Sequence, residues 1–325
     1  MMSARFLTVV LERAFNMRDG FGREIDYMRI SVIDSCNLNC YYCNPCDNNE
    51  HCHALNILSV KEVLCIVRAA TRLGIKHFRL TGGEPLLHPQ LDEMVLQIKK
   101  IPGVSSVSLT TNAVLLAQHA KWLKEAGIDS INVSLDTIDA SEYERITKKP
   151  LLEEVKHGIN AAIECGIRVK INVVLTPQTD VVALTRYVAK KGTDIRFIEM
   201  MPVGEGHTNG VEPYKKVIGT LSKLYGEPCR INTEKTKEIN SGNDKRKIPD
   251  NGPAEYYIFP ELGIRVGLIQ AIHGKFCDTC NRIRVTADGR LMPCLGSSVT
   301  MDLVPDSCEF TDDLEKDFVI VQALK

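Results

Sequence analysis

The sequence carries almost no net charge and contains no long apolar run. Its 40 Lys and Arg residues nearly balance its 41 Asp and Glu residues, so the formal net charge is -1. A nucleic-acid partner would be expected to leave a basic excess. No apolar run reaches the roughly 18 to 20 residues that a helix needs to cross a bilayer. We therefore expect neither a nucleic-acid partner nor a membrane span.

Two short motifs are also missing. The apolar stretch 6–15 contains Glu12 and Arg13 and lacks a basic segment and a small-residue cleavage site, so we expect no signal peptide and a cytoplasmic protein. No G-x-x-x-x-G-K-[ST] loop occurs, so any nucleotide must bind outside a P-loop. With no sign of secretion, the 12 cysteines indicate metal binding rather than disulfides.

Short β-rich runs alternate with helical stretches along the first two thirds of the chain. The runs are 28–33, 77–80, 105–110, 130–135, 168–175 and 194–199. Apolar residues at spacings of three and four predict helices between them at 60–73, 91–98, 120–126 and 155–163. Strand–helix alternation predicts a parallel sheet in an α/β fold. Six units fall short of the eight of a complete barrel, so we predict an incomplete (β/α)6 barrel of the TIM type. A flat, doubly wound sheet is the alternative.

Composition divides the chain into three parts. We predict an N-terminal extension over 1–26, the partial barrel over 27–204 and an α+β region over 205–325. The last region is predicted to contain helices at 213–225 and 312–324 and strands at 255–259, 263–268, 282–286 and 291–293. An Asp288-Gly289 turn separates the last two strands, which is a strong hairpin signal.

The first metal-binding motif is Cys36-x-x-x-Cys40-x-x-Cys43, directly after the first strand. Three thiolates at this spacing can hold three irons of a cubane cluster and leave a fourth iron open. An open coordination position is typical of a catalytic metal site. A zinc half-site, or plain loop thiols, is the alternative.

Polar motifs follow the other predicted strands in corresponding places. They are Thr81-Gly82-Gly83-Glu84-Pro85, Thr110-Thr111-Asn112, Ser134-Leu135-Asp136 and Glu199-Met200-Met201-Pro202. Since barrel active sites gather at the carboxyl ends of the strands, this distribution favours the barrel. Glu84 could accept a hydrogen bond from a ligand ammonium group, and Tyr42 could stack on a planar base or simply pack as an aromatic side chain.

A second cysteine group is Cys277-x-x-Cys280 with Cys294 beyond it. A closed zinc site with Cys308 as fourth ligand and a second open iron cluster both fit this pattern. Residues Cys46, His51, Cys52 and His53 could form a further metal site, although their loop is polar. Isolated cysteines at 65, 165 and 229 read as small core residues.

Basic residues accompany these motifs. They are Arg29, Arg79, Lys170, Arg282 and Arg284, and the last two alternate along one predicted strand and so face one side. Guanidinium groups match phosphate oxygens, so a convergent set suits a phosphate-bearing substrate.

The assembled motifs resemble the MoaA family, the GTP 3′,8-cyclases that begin molybdenum cofactor biosynthesis. The resemblance runs from about residue 19 to 324. The matching segments are Phe21-Gly22-Arg23, 27–31, the triple-cysteine motif, 81–85, 109–112, 132–136, 196–199, 251–254 and 276–284. The triple-cysteine motif is typical of the radical SAM superfamily, whereas Cys-x-x-Cys-Asn-Arg-x-Arg with Cys294 is far more specific to the family.

The resemblance implies two [4Fe-4S] clusters, one at each end of the barrel channel. The cluster on Cys36, Cys40 and Cys43 would bind S-adenosylmethionine, and the cluster on Cys277, Cys280 and Cys294 would bind the guanine base of GTP. Family contacts to S-adenosylmethionine fall on Tyr42, Gly83, Ser134 and Met201, beside Glu84. Family contacts to GTP fall on Arg29, Arg79, Thr110, Lys170, Arg282, Ile283 and Arg284.

The chemistry that the resemblance implies begins with one-electron cleavage of S-adenosylmethionine. The deoxyadenosyl radical then takes hydrogen from the ribose 3′ carbon of GTP, and the substrate radical closes onto carbon 8 of guanine. An electron donor such as flavodoxin or ferredoxin and a downstream cyclic pyranopterin monophosphate synthase are the implied partners, and a homodimer is left open. A different two-cluster radical enzyme acting on a peptide or small molecule, and a zinc-stabilised binding protein, are the alternatives.

Family members usually extend past the last predicted helix into a Gly-Gly tail that reaches the active site. Here the printed sequence stops at Lys325, directly after that helix. We expect either a missing tail, which we favour, or a divergent enzyme that needs none.

Overall fold

The computed structural model describes residues 18–19, 22–43, 56–202, 210–231, 252–296 and 299–303. Within these ranges, twelve strands form one continuous sheet. No helix in the described ranges is long and apolar enough to cross a membrane. The predicted helix 312–324 lies outside the described residues.

Six parallel strands form the centre of this sheet. They are β1 Tyr27–Ser31, β2 His77–Thr81, β3 Ser106–Thr111, β4 Ser130–Ser134, β5 Val169–Leu175 and β6 Asp194–Glu199. All six predicted strands are confirmed to within two residues at either end. Each strand pairs with the next one along the chain, without the order reversal of a doubly wound sheet. This singly wound order is the one expected of the predicted partial barrel.

Helices connect these strands. They are α1 Val60–Arg72, α2 Leu91–Lys99, α3 Leu116–Glu125, α4 Ala140–Thr147, α5 Leu152–Glu164 and α6 Val181–Lys190. The sequence analysis did not identify α4 or α6. Helix α1 begins with a capping box, in which the Ser59 hydroxyl accepts from the Glu62 backbone at 3.2 Å and the Glu62 carboxylate accepts from the Ser59 backbone at 2.7 Å. A π-helical turn, Tyr214–Ile218, leads into α7 Gly219–Tyr225, where a helix was predicted.

The C-terminal strands extend the same sheet at both of its edges. They are β7 Cys229–Ile231, β8 Glu255–Ile258, β9 Arg265–Ile269, β10 Arg282–Val285, β11 Arg290–Met292 and β12 Met301–Asp302. Strand β9 pairs in parallel with β6, and β10 pairs in parallel with β1. The connection 270–281 therefore joins the two edges of the six-stranded unit, which sequence periodicity could not indicate because the pairing partners are distant in the chain.

The two faces of the strands differ sharply in polarity. Met28 and Ile30 on β1 have no exposed surface and belong to the hydrophobic core, whereas Arg29 between them faces the other side. The helices cover the apolar face with residues such as Val63, Val67 and Ala70 of α1. The opposite face is polar, and it forms the candidate site.

Candidate active site

The first cysteine loop (residues 36–43) follows the carboxyl end of β1. Hydrogen bonds hold it against the end of α4, since the Asn39 and Tyr41 backbones donate to the carbonyls of Thr147 and Ile146 at 3.0 and 3.1 Å. Cys36, Cys40 and Cys43 are all free thiols and are only partly covered by protein. The loop is thus pre-shaped and open to a ligand.

A glycine pair packs directly on the backbone that leads into this loop. The Gly83 backbone donates to the Ile33 carbonyl and the Glu84 backbone donates to the Ser35 carbonyl, both at 2.8 Å. A Cβ on Gly83 would collide with the carbonyl oxygens of Asp34 and Ser35. The absence of a side chain at Gly83 is therefore required by the protein's own chain, in addition to any ligand contact there.

Glu84 is buried, with a relative exposure of 1%. Its carboxylate accepts hydrogen bonds from the Leu86 backbone at 3.0 Å, the Thr111 hydroxyl at 2.7 Å and the Asn112 backbone at 2.7 Å. Burial raises the pKa of Glu84, and these three donors partly offset that rise. The carboxylate joins the loops after β2 and β3, and the predicted contact to a ligand ammonium group stays a prediction.

Tyr42 is fixed by a partly buried acid, Asp136. Its hydroxyl donates to Asp136, which also accepts from the Val174 backbone at 2.7 Å. Burial raises the pKa of Asp136 to about 6, and burial beside that acid raises the pKa of Tyr42 well above its usual value. The phenol is therefore held as a neutral group, with its ring edge-on to Tyr41 and a centroid separation of 5.3 Å.

The thiols of the first cysteine loop are poorly ionised in the metal-free chain. Burial raises the pKa of all three, and the pKa of Cys40 reaches about 12, with Asp136 and the other two cysteines adding to the effect. Bound iron would favour the thiolates, because cations stabilise nearby negative charge. Cys36 already accepts from the Leu38 backbone at 3.4 Å, as thiolates of iron–sulfur sites do. The donor set therefore fits a sulfur-ligated cluster.

The second cysteine group lies at the opposite end of the strands. Cys280 precedes Arg282, the first residue of β10, and β10 runs parallel to β1. Cys294 follows β11, which is antiparallel to β10, so it returns to this same end. Burial, followed by repulsion from Arg282, lowers the pKa of Arg284, and Cys294 and Cys280 partly offset that fall. Arg23 donates to the Cys277 carbonyl at 2.8 Å.

Two arginines, Arg23 and Arg284, thus accompany the second cysteine group. Across the described ranges, no three His, Cys, Asp or Glu side chains are arranged to hold a single metal ion. The case for clusters therefore rests on cysteine spacing and thiol surroundings. The alternative ligand Cys308 and the group formed by Cys46, His51, Cys52 and His53 lie outside the described residues.

A cavity of about 350 Å³ occupies the polar face of the strands. Its lining contains one carboxylate, Asp129, and six basic side chains: Arg29, Arg79, Arg168, Lys170, Arg196 and Arg282. The volume is at the lower end of the range for ligand sites, and the excess of positive charge calls for an anion. We call this space the basic cavity.

Arg29 is a cation of the basic cavity whose charge is poorly compensated. It lies opposite Arg79 on β2 and opposite Arg284 on β10 in the strand register. Its Nε atom is buried and has no hydrogen-bond partner among the described residues. Burial, followed by repulsion from Arg284, holds the pKa of Arg29 well below its usual value. A bound anion would relieve both penalties.

The other predicted substrate residues lie around this cation. Thr110 accepts from Arg79 at 3.3 Å, and the Lys170 ammonium lies 6.0 Å from the ring centroid of Tyr256. Arg282 and Arg284 share a face of β10, as predicted, because Ile283 and Val285 are buried on the other face. The Ile283 side chain therefore belongs to the apolar core, and only its backbone is left for the predicted GTP contact.

Ser134 and Met201 lie toward the carboxyl ends of the strands, as expected for the cofactor side. Ser134 ends β4 and is exposed, and Met201 follows β6 and is partly exposed. The structure thus divides the predicted residues into two groups: Tyr42, Gly83, Ser134 and Met201 near the first cysteine loop, and Arg29, Arg79, Lys170 and Arg282 in the basic cavity. Arg284 and Thr110 adjoin the second group without lining the cavity.

Sequence reasoning missed several residues that line the basic cavity. Tyr27, Asn132, Arg168 and Arg196 were not assigned a role, yet all four line it. The available signal was the two-residue period along the strands, which places Asn132 with Ser134 and Arg168 with Lys170 on one face. Arg196 is also held there by a bond to the Asn172 side chain at 3.0 Å.

Two family models cover most of the chain. Residues 30–184 match the model described as "Radical SAM superfamily". Residues 193–310 match the model described as "Molybdenum Cofactor Synthesis C". The first match includes the first cysteine loop, and the second includes the second cysteine group.

Curated relatives match over nearly the full length. A protein named GTP 3′,8-cyclase from Clostridium perfringens (strain SM101 / Type A) is 37% identical over 282 residues, which is 86% of this chain and 83% of the relative. A protein of the same name from Pelotomaculum thermopropionicum is 38% identical over 294 residues, covering 88% of this chain and 86% of the relative.

Solved structures with low sequence identity share the fold. Streptococcus suis SuiB bound to S-adenosylmethionine has a TM-score of 0.62 and 16% identity, and the match covers 98% of this chain and 69% of SuiB. The structure titled "Native anSMEcpe with bound AdoMet" has a TM-score of 0.59 and 17% identity, covering 90% of this chain and 80% of that one. These similarities establish the partial-barrel fold and nothing further.

Proposed function

Because the chain belongs to the GTP 3′,8-cyclase family within the radical SAM superfamily, we propose that it converts GTP to 3′,8-cyclo-7,8-dihydro-GTP. The observation that carries the proposal is the basic cavity, whose lining includes Arg282, two residues after Cys280 of the second cysteine group. A nucleoside triphosphate placed there would meet a cation on five different strands, β1, β2, β5, β6 and β10.

We propose two [4Fe-4S] clusters, each held by three cysteines. Cys36, Cys40 and Cys43 would hold the first, and Cys277, Cys280 and Cys294 the second. When bound, the first cluster supplies the electron that cleaves S-adenosylmethionine, and the second supplies an open iron for guanine. The free thiols of both groups and the cationic surroundings of the second support this division.

The protein's own residues bind and orient the two small molecules. Tyr42, Gly83, Glu84, Ser134 and Met201 would surround S-adenosylmethionine at the carboxyl ends of the strands. Arg29, Arg79, Lys170, Arg282 and Arg284 would bind the triphosphate through charge-assisted hydrogen bonds, with Thr110 and the Ile283 backbone beside them. The arginines carry their charge before substrate arrives, so the phosphates meet a preorganised site rather than water.

Family membership supports the remaining proposals. A flavodoxin or ferredoxin would reduce the first cluster in the cytoplasm, and a cyclic pyranopterin monophosphate synthase would consume the product. We also keep the proposed division into an extension over 1–26, a barrel over 27–204 and a C-terminal region over 205–325. The boundary at 204 and 205 lies within residues that the structure does not describe.

The decisive experiment is product analysis after anaerobic reconstitution with iron and sulfide, followed by addition of GTP, S-adenosylmethionine and dithionite. We expect deoxyadenosine and a cyclised GTP product. Any peptide that the family requires for turnover, such as a Gly-Gly tail, is added in a parallel sample. Reconstituted protein that releases deoxyadenosine but leaves GTP unchanged in both samples would refute the proposed substrate.

A further inference from the structure

Asn132 is a buried polar residue of the basic cavity that neither the motifs nor the proposed site explains. It lies on β4 with a relative exposure of 2%, and it lines the cavity. Its side-chain oxygen has no hydrogen-bond partner among the described residues. A buried acceptor left without a donor is costly, so such a group in a ligand cavity points to a donor on the ligand.

The strand register gives the position of Asn132 along the cavity. Its neighbours are Thr110 on β3 and Lys170 on β5. On its own strand, Ser130 precedes it on the same face and Ser134 follows it on the same face. Successive residues on one face of a strand are about 6.6 Å apart. Asn132 thus lies two residues along β4 from Ser130, which is at the same level of the sheet as Arg29 and Arg79. It lies two residues in the other direction from Ser134, which would contact S-adenosylmethionine.

A phosphate oxygen cannot satisfy this side chain's oxygen, because both groups are acceptors. The ligand group at this depth must supply a hydroxyl or an N–H. In a nucleoside triphosphate whose base lies toward Cys280 and whose phosphates lie on the arginines, the donors that remain for this position are the ribose hydroxyls. The reacting ribose carbon must also lie at the part of the cavity nearest the first cysteine loop.

We propose that Asn132 binds the substrate ribose by accepting a hydrogen bond from its 2′- or 3′-hydroxyl. This inference rests on the proposed GTP cyclase function and deepens it, since it assigns a residue that selects and positions the sugar. Asn132 thereby separates the phosphate-binding arginines from the end at which hydrogen is removed.

The test measures equilibrium binding of GTP, 2′-deoxy-GTP and 3′-deoxy-GTP to protein carrying both clusters. Wild type, Asn132→Ala and the control Asn160→Ala are compared, since Asn160 lies on α5 and contacts Lys191 away from the cavity. We expect Asn132→Ala to weaken GTP binding by about threefold to tenfold, the effect of one neutral hydrogen bond. The analogue that lacks the bonded hydroxyl should show no further loss, while the other analogue should behave like GTP.

The two deoxy analogues identify which hydroxyl is bound. They also test the inference on wild type alone, so the result does not depend on the variant folding: one analogue must bind less tightly than GTP. Equal affinity of wild type for all three nucleotides would overturn the inference, as would an Asn132→Ala loss of the same size for all three. Wild type that neither binds nor converts GTP would instead reject the proposed function itself.

Discussion

The first cysteine loop and the basic cavity differ in how far their polar and charged groups are paired within the protein. Around the loop, almost every polar group is already paired within the protein: Glu84 has three donors, Asp136 has two, and Gly83 bonds to Ile33. In the cavity, cations face one another, and the Arg29 Nε atom has no hydrogen-bond partner in the part of the chain that the structure describes. The loop is stable before its ligand arrives, whereas the cavity holds unfavourable charge that only an anion relieves.

The largest expected effect comes from removing the central thiol of the loop. Cys40→Ala should abolish deoxyadenosine formation, because a three-cysteine cluster loses a ligand, while the fold is retained because the loop lies outside the core. Cys229→Ala is the control, because Cys229 is exposed on β7 and the prediction that it is a core residue is wrong. Deoxyadenosine is measured by chromatography after dithionite reduction. Retained cleavage of S-adenosylmethionine in Cys40→Ala would disprove the assignment.

A thiol at the other end should separate the two activities. We expect Cys280→Ala to lose cyclised product almost completely while keeping a substantial part of deoxyadenosine formation, because its cluster would bind substrate rather than cleave the cofactor. Iron per chain and both products are measured on the same sample. If both activities fell equally while the first cluster stayed loaded, the two ends would not have the separate roles proposed.

Glycine 83 tests how strongly the loop depends on its own backbone contacts. Gly83→Ala should lower the free energy of unfolding by about 3 kcal/mol or more, because its Cβ would strike the carbonyl oxygens of Asp34 and Ser35. Gly219→Ala is a matched control, since Gly219 is helical and nothing lies within 4 Å of its Cβ position. Denaturant unfolding measures both. Similar free energies of unfolding for the two variants would show that the backbone at Asp34 and Ser35 can move to accommodate a Cβ at position 83.

Removing a cation of the basic cavity should weaken the binding of phosphate-bearing ligands. Arg282→Ala or Lys170→Ala should weaken GTP binding by about 1.5 to 3 kcal/mol for each lost charge-assisted contact. Guanosine has no phosphates, so its binding should change less. Titration calorimetry with both ligands makes the comparison. Equal losses for GTP and guanosine would place these side chains away from the triphosphate.

The smallest effect concerns stability without ligand. Arg29→Met should raise the free energy of unfolding of the ligand-free protein by about 1 kcal/mol, because it removes a buried cation that faces Arg79 and Arg284. The same change should weaken GTP binding. Arg186→Met, at an exposed site on α6, is the control. A less stable Arg29→Met protein would mean that the cation is compensated within the chain.

Local pattern was enough to predict much of the fold and to propose the cysteine ligands. All six barrel strands and most of their helices follow from short-range periodicity, and the cysteine spacings identify both thiol groups. Helix α4 was missed because its eight residues carry little apolar periodicity, with only Tyr143, Ile146 and Thr147 buried. Helix α6 was missed although its apolar residues recur, since they lie between two strongly β-prone segments.

The role of Gly83 shows where the sequence stops being informative. A glycine pair predicts a turn or a close approach, but the partner of that approach is decided by the packing of the β2 loop on residues 34 and 35. Likewise the sequence suggests that the Glu84 carboxylate is free to bind a ligand, whereas the structure shows three donors to it within the protein. The motifs around Asn132 and Arg196 indicate roles only for neighbouring residues. The position of these two side chains in the lining of the basic cavity is what gives them a role.

By itself the sequence determined where polar and apolar residues alternate along a strand, and therefore which face of each strand is polar. It also determined which cysteines are spaced to share a cluster. These properties depend only on residues a few positions apart. Only the tertiary structure decided that β9 pairs with β6 and that β10 pairs with β1, which brings Arg284 opposite Arg29. Strand pairing at long range is set by backbone hydrogen bonds and core packing, which leave no local trace. The clustering of like charge in the basic cavity, and with it the demand for an anion, is a product of that pairing.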